Sequence, residues 1–341
     1  MVAAIVDRDT ARAEALAVDV GSVQAGAKVA DDLADGRKYR SRAEEVRGTP
    51  CPHFAELGDA ALALCDLVYI GTTPDSHRPL ALLAYAAGKH VLLEKPLAAS
   101  AADADAIVAA AEAALADRGC VTGMNIGMRW NGALIALRSA IEAGELGALR
   151  SASLRLGFIE WPRVWQKVDW CARRAQGGAL REVGTHFLFG INDLWGHGCV
   201  EAVRCEVEYA DGADGALAET AADGAMRLRG GLEVAVSLEL GLERDAYELE
   251  VRGDRGGLLM YDFRKLRALD GDEPFSSAAA DAYAELAGGG YGRKDCIKSL
   301  IRAADGLEAP DLITPRQGRN AQRVLDALLA SRGAWVDVAY D

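Results

Sequence analysis

Short continuous apolar runs alternate along the first part of the chain with segments whose apolar residues recur every three to four positions. This alternation changes character near residue 145. Residues 2 to 6 are apolar and end at Asp7. From Thr10 the spacing of Ala11, Ala15 and Leu16 among charged residues predicts a helix. Leu67-Val68-Tyr69-Ile70 is a continuous apolar run of the kind found in a parallel strand buried on both faces, and it stops at Gly71-Thr72-Thr73-Pro74. A helix is expected over residues 76 to 87, closed by Gly88. The unit then repeats. Residues 90 to 93 form a strand, Glu94-Lys95-Pro96 a turn, and Ser100 with Asp103 resembles a capping box opening an alanine-rich helix. Another strand at 120 to 125 precedes a helix ending near Gly144. Strand and helix in alternation imply a parallel, doubly wound sheet.

Beyond that point the pattern turns β-rich, with strand-like stretches at 149–159, 200–209, 215–228, 232–240, 247–252 and 257–261 and few helices between them. Helical periodicity returns at 295–304 and 316–331. The expected fold is therefore a doubly wound α/β domain over residues 1–128, followed by an α+β domain over 129–341 with a large, mainly antiparallel sheet. Residues 21 to 58, including Gly48-Thr49-Pro50-Cys51-Pro52 and one short helix at 39–46, read as an insertion without assigned chemistry.

A length of 341 residues is too great for one ordinary core, so a cleft between two domains is expected. Half of the residues are hydrophobic and 26% charged, the balance of a chain that folds. The net charge of −13 disfavours nucleic acid and anionic membrane surfaces, which leaves a small molecule as the expected partner. Seven scattered cysteines with no C-x-x-C pair indicate reduced thiols. Charges at Asp7, Arg8 and Asp9 interrupt any signal-like apolar stretch, and no run reaches the roughly 20 apolar residues of a membrane span. A cytoplasmic location is the expectation.

In an open α/β sheet, ligands lie outside the carboxyl ends of the strands, so the turns there are the first candidates for chemistry. Asp7 stands where an acid can accept hydrogen bonds from ribose hydroxyls, or simply favour a helix N-terminus. Thr72-Thr73-Pro74 can lie along a dinucleotide or form a structural turn. Lys95, followed by a proline that restrains the backbone, can point an ammonium into the cleft and stabilise alkoxide character, or remain a solvated surface lysine. In the second half, Gly177-Gly178 opens a helix with apolar positions Leu180, Val183, Phe187, Ile191 and Leu194. Glu182 and His186 lie four apart on it, on one face. Such a pair can make an imidazole general acid/base oriented by a carboxylate, a surface pair, or two ligands of a metal whose third ligand is not apparent. Gly184 in that helix suggests close approach of another backbone or a ligand.

The run of residues 66 to 98, from the strand through the Thr-Pro turn to Ala87-Gly88-Lys89-His90-Val91 and Glu94-Lys95-Pro96, resembles the Gfo/Idh/MocA oxidoreductases. Residues 177–186 are similar to the family's G-G-x-L-x-D-x-G-x-H signature, and residues 252–259 to its R-G-T-x-G strand pair. The resemblance implies a Rossmann-type sheet, NAD or NADP as cofactor, and hydride transfer to or from a hydroxyl or carbonyl of a sugar, polyol or related small alcohol. It implies Lys95 as active-site lysine and His186 as acid/base, with Glu182 orienting the imidazole. Asp7 would bind ribose, with Arg8 beside it leaving NAD and NADP both open. Thr72, Thr73, Pro74 and His77 would lie along the dinucleotide, and Glu94 beside the nicotinamide ribose. Arg129 matches a frequent arginine, read as substrate-binding together with Trp161 and Trp165 of the loop before Gly177. A cis Lys95–Pro96 peptide and a homodimer or homotetramer are also implied.

Three departures from the family pattern stand out. Glu182 replaces aspartate, Phe189 replaces a common aspartate, and nothing in this sequence supplies the G-x-G-x-x-G turn that cradles pyrophosphate. The sheet is therefore expected to be an incomplete Rossmann sheet, its first strand and glycine-rich turn truncated. The alternative reading is a non-catalytic ligand-binding or regulatory protein of the same fold. A metal-assisted enzyme is a third.

Overall fold

The computed structural model describes residues 4–6, 11, 12, 14, 52–166, 168–269 and 293–340. Asp7, Arg8 and the expected helix at 39–46 lie outside them.

The expected alternation forms a parallel sheet in the order β3-β4-β5, from Leu67–Ile70 (β3), His90–Glu94 (β4) and Thr122–Asn125 (β5). Ile5–Val6 (β1) pairs in parallel with His53–Phe54 (β2) as a separate two-stranded ribbon. β4 is central among the three, and Val91, Leu92 and Leu93 are all buried. Val91 and Leu93 belong to the cluster containing Ala81, Ala84, Ile107 and Val108, whereas Leu92 packs with Val121, Cys296 and Leu300. Helices therefore cover both faces of the sheet, which explains the uninterrupted apolar run. β3 departs from that expectation: Tyr69 is 54% exposed, so this strand has one open side chain where two covered faces were expected.

The helix Pro74–Ala86 (α2, after the short α1 at Asp59–Leu62) starts two residues before the expected Ser76. Pro74 occupies its first turn, where a missing N–H costs nothing. Ala101–Arg118 (α3) is capped as expected: the Ser100 side chain accepts the Asp103 N–H at 3.1 Å, and Gly119 ends the helix at φ +69°. Gly132–Glu142 (α4) leads into the second sheet.

That sheet has eight strands in the order β12-β11-β10-β6-β9-β8-β7-β13. They are Leu149–Phe158 (β6), Val200–Tyr209 (β7), Glu219–Leu228 (β8), Glu233–Leu240 (β9), Ala246–Gly253 (β10), Gly256–Tyr261 (β11), Lys265–Ala268 (β12) and Val336–Asp337 (β13). Every pair is antiparallel except β6 with β9. The short edge strands β12 and β13 were not foreseen, being too brief to show a period of their own. Leu154, Leu156, Phe158, Val236, Leu238, Leu249 and Met260 line the inner face in one continuous core. Against that face lie α4 and the helix Thr185–Trp195 (α5). The outer face carries cross-strand ion pairs, Arg155 with Glu239 and Glu248, and Arg227 with Glu233.

Two closing helices, Arg293–Ala304 (α6) and Pro315–Ala330 (α7), return to the parallel sheet. α7 begins with a capping box of Thr314 and Gln317 and reaches α3 through Arg323 and Asp105. Among the described residues no helix is long and apolar enough to cross a membrane.

Candidate active site

β4 delivers Glu94 and Lys95 to its carboxyl end, and the Lys95–Pro96 peptide is cis. The Lys95 ammonium donates to the Glu182 backbone oxygen at 3.0 Å and to Glu182 Oε2 at 3.3 Å. Both side chains are largely withdrawn from solvent, at 15% and 10% exposure, so their attraction is screened less than in a surface ion pair. Glu94 is clamped from the two neighbouring strands: its Oε1 accepts Tyr69 Oη–H at 2.5 Å and Asn125 Nδ2–H at 2.6 Å. Its Oε2 accepts the Lys95 N–H at 3.3 Å.

Thr72 and Thr73 lie at the adjacent strand end, beside the N-terminus of α2. Thr73 donates its hydroxyl to Asp75 Oδ1 at 2.5 Å, and Ser76 Oγ–H reaches Thr73 O at 2.7 Å. Thr72 is exposed and Pro74 buried. His77, expected along the dinucleotide, has a different task. It is 0% exposed, with Nδ1 3.1 Å from Leu97 O and Nε2 3.1 Å from Thr72 O. The ring ties the Thr72 turn to the chain just after Pro96 from behind. Burial pushes its pKa down, against the pull of those carbonyls and of Glu94.

Opposite Lys95, the helix after Gly177-Gly178 begins as a π-helical turn, Leu180–Gly184, before continuing as α5. Such widened turns recur at functional sites because they re-aim side chains. Both glycines are required by space. A Cβ on Gly177 would lie 2.2 Å from Trp170 O, and one on Gly178, at φ +108°, would lie 2.4 Å from Glu219 Oε2. At Gly184 a Cβ would meet Leu156 Cδ1 at an ordinary 3.4 Å, and no backbone of another element approaches it among the described residues, which leaves the ligand half of that expectation.

Glu182 takes a partner beyond its own helix. One carboxylate oxygen holds Lys95, and the other, Oε1, is buried and has no hydrogen-bond partner among the described residues. The carboxylate pairs with the lysine, a partner that the helix spacing did not indicate. The lengthened side chain explains this choice, because it folds back to the ammonium that its own backbone oxygen already binds. His186 follows one turn later, half-buried, with its ring edge-on to Phe263 at 6.1 Å between centroids.

The turn is braced by residues that the sequence did not single out. Glu219, 3% exposed at the start of β8, accepts the Leu180 N–H at 2.7 Å. Burial pushes its carboxyl up, while the Leu180 N–H and the Arg181 and Arg174 charges pull the other way. Arg181 pairs with Asp326 of α7 at 3.3 Å, and Gln322 donates to Asp326 at 3.5 Å while accepting the Ala98 N–H at 3.1 Å. One helix thus supports both sides of the Lys95–Glu182 pair. No local pattern could have revealed these contacts, which span up to 224 positions in sequence.

Arg129 is not available to a substrate in this arrangement. Nε and Nη2 bond Asp193 at 3.2 and 2.7 Å, Nη1 reaches Leu312 O and Gln317, and the guanidinium lies 5.5 Å from the Phe189 ring centroid. Phe189 supplies an apolar floor where the family pattern has an acid. The two tryptophans part company as well. Trp161 donates Nε1–H to Cys171 O at 2.9 Å and packs edge-on against Phe158, so it anchors the loop. Trp165 is 67% exposed and stacks on Arg163 at 4.4 Å, which leaves it free to meet a ligand.

Comparisons with known proteins agree with this architecture. Residues 1–117 match an oxidoreductase family model with an NAD-binding Rossmann fold, and residues 134–259 match the GFO/IDH/MocA C-terminal domain. The chain is 29% identical over 240 residues to 1,5-anhydro-D-fructose reductase of Ensifer adhaerens, covering 70% of this chain and 65% of the reductase. It is 36% identical over 131 residues to the rabbit (Oryctolagus cuniculus) trans-1,2-dihydrobenzene-1,2-diol dehydrogenase, covering 38% of this chain and 37% of that enzyme. Among solved structures, the WlbA dehydrogenase of Bordetella pertussis, crystallised with NADH and UDP-GlcNAcA, superposes with a TM-score of 0.73 at 20% identity. That match covers 99% of this chain and 97% of WlbA. A levoglucosan dehydrogenase in complex with NADH and levoglucosan gives 0.66 at 18% identity, covering 87% of each chain. The parallel sheet with its Glu94-Lys95-Pro96 turn, the large mainly antiparallel sheet and the two family matches lead to one conclusion: the chain belongs to the Gfo/Idh/MocA family of oxidoreductases, with an NAD-binding Rossmann fold.

Proposed function

We propose that this protein is an NAD(P)-dependent dehydrogenase or reductase acting on a hydroxyl or carbonyl of a sugar, polyol or related small alcohol. The observation that carries the reading is the buried Lys95–Glu182 pair at the carboxyl end of β4. It holds an ammonium in a partly dry site and leaves Glu182 Oε1 without a donor among the described residues. A substrate hydroxyl is the kind of group that would satisfy that oxygen, because a buried acceptor left unpaired is costly.

The residues at the strand ends fit the nicotinamide side of the cofactor. Thr72 is exposed at the end of β3, and Glu94 is held in place by Tyr69 and Asn125. When bound, NAD(P)⁺ supplies the hydride acceptor. In the oxidative direction Lys95 donates a hydrogen bond to the reacting oxygen and stabilises its developing negative charge. Glu182 accepts from a substrate hydroxyl and keeps the ammonium in register. The His186 imidazole takes the hydroxyl proton and returns it in the reductive direction. Trp165 and Arg163 form the outer wall for the substrate ring.

The reading extends to the assembly. The cofactor domain is placed at residues 1–128 and the substrate domain at 129–341. The polar outer face of the eight-stranded sheet, with its alternating charges, suits pairing between copies in a homodimer or homotetramer. The six free cysteines among the described residues, five of them buried, fit a cytoplasmic protein.

The test is reduction of NAD⁺ and NADP⁺, read at 340 nm, across a panel of sugars, polyols and dihydrodiols, and the reverse reaction with 1,5-anhydro-D-fructose. Replacing Lys95 by alanine should lower kcat about 100- to 1000-fold while the cofactor Kd stays within about threefold. Turnover that survives the substitution would remove Lys95 from the chemistry.

A further inference from the structure

Glu219 is a buried carboxyl group that contributes nothing to the proposed chemistry directly, yet its surroundings are built around it. Its Oε1 receives the N–H of Leu180, the first residue of the π-helical turn, at 2.7 Å. Helix starts leave such N–H groups without intrahelical acceptors, and the usual remedy is a local Ser, Thr, Asp or Asn. Here the acceptor comes from another sheet strand 39 positions away. Its other oxygen defines the path of the preceding turn, since only a residue without a Cβ passes it at Gly178. The strand carrying Glu219 is itself laced to the loop before that turn. Ala218 N–H donates to Ala172 O at 2.8 Å, and Arg174 N–H to Ala216 O at 3.0 Å. Two residues after Leu180 comes Glu182, whose backbone oxygen and carboxylate both hold Lys95.

We propose that Glu219 is a positioning residue: through the Leu180 N–H and the Gly178 turn it sets the place of Glu182 and thereby of the Lys95 ammonium. The proposal deepens the active-site reading and rests on it for its functional meaning, but its geometry can be tested without any substrate. Burying a carboxyl to satisfy the Leu180 N–H and its own backbone N–H is a costly way to begin a helix. A turn that must present both a carbonyl and a carboxylate to one ammonium gains from such a rigid support. The sheet behind β8 cannot shift without repacking, so the turn inherits its rigidity.

The experiment compares wild type, Glu219→Ala, Glu219→Gln and Glu182→Ala by brief acetylation with acetic anhydride. Labelling of Lys95 is read by peptide mass spectrometry relative to the exposed Lys298 in the same sample. In Glu219→Ala the Lys95 to Lys298 ratio should rise about fivefold, approaching that of Glu182→Ala, and amide exchange over residues 180–186 should accelerate. Glu219→Gln keeps an oxygen for the Leu180 N–H and should stay within about twofold of wild type. If Glu219→Ala does not yield folded protein, Glu219→Asp, one methylene too short to reach Leu180, must show the same rise. An unchanged ratio in the folded variant overturns the proposal and leaves Glu219 as core packing only. A raised ratio together with full turnover in Lys95→Ala would keep the positioning role and overturn the active-site reading instead.

Discussion

The turn after β4 and the turn before α5 meet at one ion pair, yet they are held in different ways. Lys95 is delivered by a strand whose Val91, Leu92 and Leu93 are buried between helices, and its backbone is set by the adjacent proline. The support is local, and a reader of a dozen residues can find it. Glu182 sits on a turn with an unusual pitch, fixed by Glu219 from β8 and by Asp326 from α7. The lesson is that a side chain at the end of a parallel strand is placed by the sheet itself, whereas one on an irregular helix start needs distant buried groups to hold it.

Four substitutions, in order of expected effect, test that contrast. The largest is at Asp193, where α5 is anchored to Arg129 at 2.7 Å and to Arg138, with His197 3.4 Å away. Burial opposes ionisation of Asp193, but hydrogen bonds from His197 and Arg129 and the charges of Arg129 and Arg138 outweigh it and hold the carboxyl well below the usual range. A depressed carboxylate stabilises the fold above its unfolded pKa near 4, and that contribution disappears as pH falls through the folded value. Asp193→Asn should therefore cost about 3 to 5 kcal/mol in urea unfolding at pH 7, because it leaves buried cations uncompensated. The gap to wild type should shrink steadily below about pH 4. A gap that does not vary with pH would mean that the cluster contributes packing alone.

Next comes Gly178→Ala. With φ at +108° and a new Cβ 2.4 Å from Glu219 Oε2, it should destabilise by about 2 to 3 kcal/mol and lower Tm by several degrees. The same change at Gly184, where space is ordinary, should be neutral or mildly stabilising, within about 1 kcal/mol. Equal losses at both positions would contradict the close approach to Glu219. The smallest effect on stability belongs to Trp165→Ala. As an exposed side chain it should change unfolding free energy by no more than about 0.5 kcal/mol while raising KM for the substrate several-fold. An unchanged KM would take the Trp165–Arg163 stack out of the substrate wall.

Much of the site is legible in the sequence. The Glu94-Lys95-Pro96 turn, the Gly177-Gly178 opening and the Glu182/His186 spacing were all visible as residues at element ends. Several roles changed on folding for identifiable reasons. His77 had the right position on α2 for a cofactor contact, but its face of the helix is the buried one. Arg129 had the right chemistry for an anionic ligand, but Asp193, 64 positions later, already occupies it. Glu182 was read beside His186 because the two share a helix, and folding adds a partner that the helix could not show, a lysine 87 positions earlier. Trp161 and Trp165 looked alike as sequence and differ because one ring packs against Phe158 and bonds Cys171 O, while the other is exposed.

By itself, then, the order of apolar runs determined the alternating parallel unit, the strand-rich second half and the turns at which chemistry could sit, since these follow from periods of two and 3.6 residues acting over short distances. Only the tertiary structure decided which partner each polar side chain takes. That choice depends on burial and on charges brought together from remote positions, and a buried carboxylate pairs with whichever cation or N–H the packing leaves within reach.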